Sequence, residues 1–254
     1  MKTTILLSLW LLLISLGDAA EFDQGHGKFD ALLKQHVRDG WVDYAALKGS
    51  PKPLVEYLDQ LASVKESDFK LWPEKERFAF LINLYNAATL KLIVDHYPVA
   101  SIKDIGGVFK GPWKQPVVRL FENVTTLDNL EHGIIRKQYR DPRAHFALVC
   151  AAKGCTPLRS EAYVASRLDE QLNDQARVFL GQSAKNRVDA GSHSLYLSPI
   201  FKWFSGDFEA KSGTVLKFLD PHFSEKNRKV LAGGGFKIRY TDYDWSLNDK
   251  GAKR

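Results

Sequence analysis

Cysteine is scarce in this sequence. Only two of the 254 residues are cysteines, and both lie in one short segment, Cys150-Ala-Ala-Lys-Gly-Cys155. Two nearby cysteines can pair in an oxidising compartment. Closing such a small ring constrains the unfolded chain less than closing a long one. A disulfide here would therefore stabilise the chain only locally, and a hydrophobic core must hold the fold together.

Clustered charge and phosphate-binding motifs are also missing. The net charge is +6, and the basic residues are scattered with no run of five. A nucleic-acid-binding surface usually has a basic stripe or a known motif, and neither is present. Gly233-Gly-Gly235 lacks the lysine and the following helix of a P-loop. We predict no nucleic-acid partner and no cofactor.

The apolar run near the N-terminus is too short to span a membrane. It covers residues 5–16, which is 12 residues, whereas a spanning helix needs about 20. Lys2 precedes it, and the small residues Gly17 and Ala19 follow, in the order typical of a secretory signal peptide. We predict that residues 1–19 are a removable signal peptide. The mature protein would be periplasmic or secreted, with no stable membrane insertion.

The rest of the chain has the size and composition of one domain. About 235 residues remain after the predicted cleavage, and hydrophobic residues make up 44% of the sequence, enough to bury a core. We assign residues 20–248 to a single domain and residues 249–254 to a flexible tail. Predicted helices outnumber strands and do not alternate regularly with them. This pattern favours an α+β fold that is predominantly helical, with a small, mostly antiparallel sheet.

One predicted helix is apolar around nearly its whole circumference. It runs roughly from Pro73 to Tyr97, and such a helix is normally buried at the centre of a domain. Asn83 and Asn86 lie within it. Buried amides need hydrogen-bond partners, so these two side chains either fix neighbouring loops or form the polar wall of a site.

Two further segments frame the cysteines in the sequence. Thr126 is a good N-cap for a helix with Asp128 in its first turn. His145 to Ala151 is an apolar run that we interpret as a buried strand, leading into the cysteine loop. We also predict a hairpin over residues 187–198 and a last strand over residues 236–240.

Several motifs of the chain resemble those of a known family. They resemble the bacterial exported branch of the domain of unknown function 547 family over nearly the whole mature chain. The motifs occur in this order: Arg77–Ala87, Leu127–Arg136, His145–Pro157, Ile200–Phe204 and Tyr243–Asn248. The family usually has Pro-Pro after the second cysteine, where this chain has Thr156-Pro157. The resemblance implies fold and length rather than a reaction.

A thiol nucleophile is the main hypothesis for the chemistry. Cys155 follows Gly154 in a loop and would be presented by a rigid framework. A thiol needs a neighbouring base or a positive field, since free cysteine titrates near pH ~8.5. His132 is the candidate base. Asp128, four residues earlier on the same helix face, would orient it, and Glu131 would reach another part of the site.

The amides of the apolar helix complete this hypothesis. Asn83 or Asn86 could donate a hydrogen bond to an oxyanion. Together these residues predict a thiol-dependent hydrolase or acyl transferase that acts on the amide or thioester bond of a small molecule or peptide.

Three alternatives assign the cysteines other roles. They could form a structural disulfide in a non-catalytic envelope binding module, with the Asn, His and Glu side chains as buried ties. They could be a redox pair, although the spacing is Cys-x4-Cys rather than Cys-x2-Cys. Zinc could bind Cys150, Cys155, His132 and His145, but this spacing only just fits a zinc site, and we predict no metal.

Overall fold

The computed structural model describes residues 22–107 and 110–253. The predicted signal peptide lies outside these residues. The α-helices are α1 Gly27–His36, α2 Tyr44–Gly49, α3 Lys52–Ala62, α4 Glu66–Leu71, α5 Glu74–His96, α6 Arg136–Tyr139, α7 Ala144–Ala147, α8 Leu168–Leu180, α9 Ile200–Trp203, α10 Ser205–Ser212, α11 Val215–Leu219 and α12 Glu225–Leu231. The strands are β1 Val37–Arg38, β2 Trp41–Val42, β3 Val118–Leu120, β4 Asn123–Thr125, β5 Arg187–Asp189, β6 Ser194–Leu197 and β7 Lys237–Tyr240.

Helix α5 is the centre of the fold, as its all-round apolar sequence predicts. Pro73 precedes it, and Tyr97-Pro98 follows its last turn. The helix is long and apolar enough to cross a membrane, but 89% of its apolar window is buried inside the protein. Its apolar surface is therefore covered by other parts of this chain, including α2, α3 and a helical turn at Asn129–Ile135.

A second, smaller core lies beside the first one. It is built mainly from phenylalanine rings of α7 to α11, including Phe146, Phe179, Phe201 and Phe208, all of which have no exposed surface. Tyr243 packs against both cores. The segment that follows β7 therefore lies where the two cores meet.

The sheets are small, which confirms the helix-dominated α+β prediction. Strands β1–β2 and β3–β4 are antiparallel pairs. The predicted hairpin is confirmed as β5–β6, and β7 then adds parallel to β6.

The predicted strand at residues 145–151 is wrong. Residues Ala144–Ala147 form the short helix α7, and no strand of the described structure includes the cysteine loop. The side chain of Asn86 takes the place of a neighbouring strand: it donates to the Ala147 carbonyl at 2.9 Å and accepts from the Val149 amide at 3.0 Å. The segment thus stays extended after α7 without joining a sheet.

The cysteine loop, Cys150–Cys155, is instead fixed by the C-terminal segment, which is residues 241–253 after β7. The Lys153 amide donates to the Ser246 carbonyl, and the Gly154 amide donates to the Asp244 carbonyl, both at 2.8 Å. Asp249, predicted as the start of a flexible tail, accepts a hydrogen bond from the Tyr97 hydroxyl at 2.9 Å. The C-terminal segment is therefore bound to the body at least as far as this residue.

The helix predicted after Thr126 is wound more loosely than an α-helix. Thr126 does accept the Asn129 amide through its hydroxyl at 3.0 Å. Residues Asn129–Ile135 then form a π-helical turn before α6 begins. Turns of this kind are rare and occur often at functional sites.

Candidate functional site

A cavity of about 430 Å³ lies where the two cores meet. Its walls come from α5, the π-helical turn, the cysteine loop, α9 and the C-terminal segment. The cavity brings together six of the residues that sequence analysis named as candidates: Asp128, Glu131, His132, His145, Cys150 and Cys155. A cavity of this size suits a small-molecule group.

The two cysteines are free thiols that lie in contact with each other and with Tyr243. The backbone amide of Cys150 donates to the sulfur of Cys155 at 3.2 Å. The sulfur of Cys150 lies 3.1 Å from the hydroxyl of Tyr243. Cys150 is partly exposed, while Cys155 is 4% exposed and forms part of the cavity wall.

The environment of the pair favours a thiolate on Cys155. A hydrogen bond from the Cys150 side chain is the main cause that lowers the pKa of Cys155, against the opposing effect of burial. The Cys150 amide, Tyr243 and the charge of Lys185 lower this pKa further. The same contact raises the pKa of Cys150. Of the two thiols, Cys155 therefore loses its proton first, and Cys150 keeps its own.

The cysteine loop contains a backbone conformation that side chains rarely adopt. Ala151 is buried and has a φ of 62°, in the left-handed region. Non-glycine residues in this region cost energy and are concentrated at functional sites. The conformation turns the chain between the two cysteines, so that the Cys150 amide faces the Cys155 sulfur.

His132 is held by a chain of charged hydrogen bonds. Arg136 donates to His132 Nδ1 at 3.1 Å and binds both carboxylate oxygens of Asp207, at 2.7 and 2.9 Å. Asp207 also bonds His145 Nε2 at 2.7 Å. His145 and Arg136 together hold the pKa of the Asp207 carboxyl well below its usual range.

The hydrogen bond from Arg136 determines which nitrogen of His132 carries the proton. A guanidinium group can only donate hydrogen bonds. Nδ1 of His132 must therefore accept, and the neutral ring carries its proton on Nε2. The Nε2 atom lies 4.0 Å from Asp128, and Nδ1 lies 3.8 Å from Glu131. His132 thus offers an N–H donor rather than the free base nitrogen that sequence analysis assigned to it.

The hydrogen bonds of the sulfurs run to other partners than histidine. In the described part of the chain they join the two cysteines, Tyr243, the Leu148 carbonyl and Thr156. Activation of Cys155 in this arrangement comes from the donors around its sulfur.

Asn83 and Asn86 lie outside the cavity lining. Asn83 donates to the Tyr163 carbonyl at 2.8 Å and accepts the Tyr163 amide at 3.0 Å. Asn86 makes the matching pair of bonds to Ala147 and Val149. Both amides fix loops to α5. This is the first of the two roles that the sequence allowed, and the other was the polar wall of a site. The oxyanion role has no support in this geometry.

Glu131 is a buried member of the wall. Its residue is 9% exposed, and its carboxylate is hydrogen-bonded to Tyr85. Burial, followed by the charge of Glu131, raises the pKa of the Tyr85 hydroxyl. Among the described residues, no three His, Cys, Asp or Glu side chains group closely enough to hold a metal ion.

Comparison with known proteins identifies the family. The family model described as "Protein of unknown function, DUF547" matches residues 69–180. By this match, residues 69–180 of the chain belong to the DUF547 family. No curated protein and no solved structure matches the chain.

The DUF547 match covers only part of the cavity wall. It runs from α4 to the end of α8 and includes both cysteines and the π-helical turn. Lys185, Asp207 and Tyr243 come from later in the chain. Sequence analysis did not select these three residues or Arg136 for the site, because a lysine, a salt bridge and a tyrosine in an aromatic segment have no diagnostic spacing. The only available signal was the Tyr243 motif.

Proposed function

We propose that this DUF547 protein is a thiol-dependent hydrolase or acyl transferase that uses Cys155 to attack a thioester or an amide. One observation carries the proposal. The Cys155 sulfur lies in the wall of a cavity and accepts a backbone N–H at 3.2 Å. Hydrogen bonds to the charged form favour that form, and the thiolate is the reactive form of cysteine.

The reaction follows from the groups around the cavity. The Cys155 thiolate attacks the carbonyl carbon and forms a C–S bond, and the carbonyl oxygen becomes an oxyanion. His132 donates its Nε2–H to this oxyanion, because Arg136 occupies Nδ1. The C–S or C–N bond to the leaving group then breaks. Water or an acceptor thiol releases the acyl group and restores the thiolate; with water the products are a carboxylate and two protons.

This arrangement favours thioesters over amides. A thiolate leaves with its electron pair and needs no proton, whereas an amine must be protonated as it leaves. A His132 ring that accepts from Arg136 at Nδ1 has a single N–H, on Nε2, and that N–H binds the oxyanion. The Cys150 thiol and the Tyr243 hydroxyl lie beside the reacting sulfur, but both have raised pKa values and are weak acids toward a leaving amine.

Stoichiometric acylation tests the proposal. The purified protein is incubated with S-phenyl thioesters of several acyl groups, and intact mass and thiophenol release are followed. We expect an acyl group on Cys155 that turns over, and none in Cys155→Ser. His132→Ala should lower kcat about 10²-fold, the usual effect of removing one oxyanion donor. His193→Ala, at the exposed turn between β5 and β6, is the matched control.

One result would instead favour the binding module. If the protein acquires no acyl group, and both sulfurs are unreactive until a reductant releases them, the pair is a disulfide. The asparagine, histidine and glutamate side chains would then be structural ties.

We also propose that the protein works outside the cytoplasm, as a member of the exported bacterial branch of the family. The support is the order of Lys2, the apolar residues 5–16 and the small residues after them, which is typical of a signal peptide. The mass of the protein isolated from the periplasm should correspond to a chain that begins at Ala20. Leu12→Arg, which interrupts the apolar run, should leave the full-length chain in the cytoplasm; a full-length periplasmic protein would contradict the proposal.

A further inference from the structure

Four aromatic side chains form one wall of the cavity. They are Trp113, Trp203, Tyr243 and Trp245. The Tyr243 ring lies 4.9 Å from Trp203 and 4.5 Å from Trp245, and the two indoles lie 6.0 Å apart at 21°. Trp113 meets Trp245 edge-on at 5.8 Å. The rings hold each other in place, so the wall is a preformed surface.

Part of this wall is open to solvent. Trp203 is 49% exposed, although α9 buries its neighbours Ile200 and Phe201 in the protein. An exposed tryptophan ring gives up the stabilisation that burying its apolar surface would provide. Exposed apolar surface beside other aromatic rings often marks a binding site. Since the ring also lines the cavity, a bound group would cover it.

The wall is continuous with the reacting sulfurs. Tyr243 contacts Cys150 through its hydroxyl at 3.1 Å and packs against both indoles through its ring. An acyl group attached to Cys155 would run along Tyr243 and reach Trp203 and Trp245. The aromatic wall is therefore placed to bind the acyl part of a substrate.

Charge narrows the choice of ligand. The Lys103 ammonium lies 3.7 Å from the centre of the Trp245 ring, and Lys114 lines the cavity. An aromatic ring attracts cations, but here a cation of the protein already occupies one ring, and a second would be repelled. Asp128 and Glu131 line the same cavity, so acidic and basic side chains balance there and the wall favours an uncharged ligand.

We propose that the wall of Trp113, Trp203, Tyr243 and Trp245 binds a flat, uncharged apolar ring, so that the natural substrates are acyl compounds that carry such a ring a short distance from the carbonyl. The inference rests on the proposed function, because it names the substrate class of that same site. Stacking on fixed rings supplies the affinity, since offset and edge-to-face aromatic contacts are favourable beyond their buried area.

A matched thioester series tests the inference. S-phenyl thioesters of acetate, cyclohexylacetate and phenylacetate share one leaving group and differ only in the acyl group. We expect kcat/KM to be about tenfold or more higher for phenylacetyl than for acetyl, in the range that pocket contacts provide. Trp203→Ala should remove this preference, because it lowers kcat/KM for the phenylacetyl thioester far more than for the acetyl thioester. Tyr240→Ala, an aromatic residue that is 41% exposed and outside the lining, is the matched control.

A binding measurement separates failure of this inference from failure of the proposed function. Phenylacetamide should quench the tryptophan fluorescence of the Cys155→Ser protein, and Trp203→Ala in that background should weaken its binding by a similar factor. Binding that depends on Trp203 without any acylation would overturn the proposed function and keep the ring site. Turnover with equal rates for all acyl groups, or binding of chitobiose in place of phenylacetamide, would overturn the ring site.

Discussion

At the scale of single residues, the reactivity of this protein depends on what surrounds one sulfur. Cys155 is almost fully buried, which by itself would keep its thiol neutral. The Cys150 thiol, the Cys150 amide and Tyr243 all donate toward it and outweigh the burial. The proton of the pair therefore stays on Cys150.

The pH dependence of alkylation should show which of the two cysteines keeps its proton. Only thiolates react with iodoacetamide, so the rate rises as pH increases through the pKa. With a lowered pKa, Cys155 should react with a midpoint below ~8.5, the ordinary value for cysteine. Cys150→Ala removes the main donor and should move the midpoint upward. Peptide mapping of protein labelled between pH 5 and pH 10 measures both, and a midpoint at or above the ordinary value would contradict the assignment.

The same depressed pKa has a consequence for stability. Because the folded state holds the Cys155 thiolate more readily than the unfolded chain does, this contribution is present above the unfolded pKa. It is lost as pH falls through the folded pKa.

The tautomer of His132 is a second prediction at this scale. Arg136 donates to Nδ1, so the ¹⁵N spectrum of the ring should show the proton on Nε2. Arg136→Ala removes the donor and should produce a mixture of both tautomers. Lys137→Ala changes the next residue of the same helix, exposed to solvent, and should leave the spectrum unchanged. A proton on Nδ1 in the unmodified protein would rule out the donor role.

At the scale of secondary-structure elements, α5 holds the segment that leads into Cys150 through Asn86. Asn86→Ala should remove both bonds to the segment that leads into Cys150 and leave an amide and a carbonyl unpaired. Each buried unpaired group costs about 1–3 kcal/mol, so we expect a loss of roughly 3 kcal/mol in the free energy of unfolding, measured in urea. The alkylation midpoint of Cys155 should also rise.

Asn83→Ala is the matched control for this prediction. Asn83 makes the same two kinds of bond, but to Tyr163. Its loss should destabilise the protein by a similar amount and leave the alkylation midpoint in place. If both variants shift the midpoint equally, the effect is general loosening rather than placement of the cysteine loop.

The elements also show what the sequence could and could not reveal. Helix α5 was predictable because a helix of more than twenty residues that is apolar on all sides is normally buried. The run His145–Ala151 was too short to distinguish a strand from a helix by pattern. Its hydrogen bonds go to Asn86, a partner about sixty residues away, and no local pattern encodes that contact.

The candidate site also contains residues that the sequence could reveal and residues that it could not. The cysteines and His132 stand out as reactive residue types, and the structure places them at one cavity. Their partners Arg136, Asp207 and Tyr243 are common residues whose roles arise from tertiary contacts. Whether Nε2 of His132 donates or accepts a hydrogen bond depends on Arg136, so it could not be inferred from the histidine alone.

At the scale of the whole molecule, the site depends on a close approach between two distant segments. A side chain at Gly154 would place its Cβ 2.8 Å from the Asp244 amide nitrogen and 2.9 Å from the Tyr243 ring. Glycine is required here for space rather than for an unusual φ. The cysteine loop and the C-terminal segment can therefore meet only without a side chain at this position.

Gly154→Ala should separate these segments. We expect a loss of about 2 kcal/mol in unfolding free energy, typical of overpacking, and a rise in the alkylation midpoint as Tyr243 moves away from the sulfurs. Gly49→Ala, where nothing lies within 4 Å of the added Cβ, is the control. A Gly154→Ala protein with unchanged stability and unchanged thiol titration would show that the segments do not meet as described.

Tyr243 and Trp245 are synthesised after the cysteine loop, and this order determines when the surroundings of Cys155 are complete. A ribosome completes the cysteine loop long before it reaches these residues, so a nascent or truncated polypeptide has both sulfurs but lacks a tyrosine partner and an aromatic wall. Reactivity at Cys155 thus reports that synthesis has passed Tyr243 and Trp245. A protease that cuts between the cysteine loop and Tyr243 would remove both residues from the site without touching Cys155.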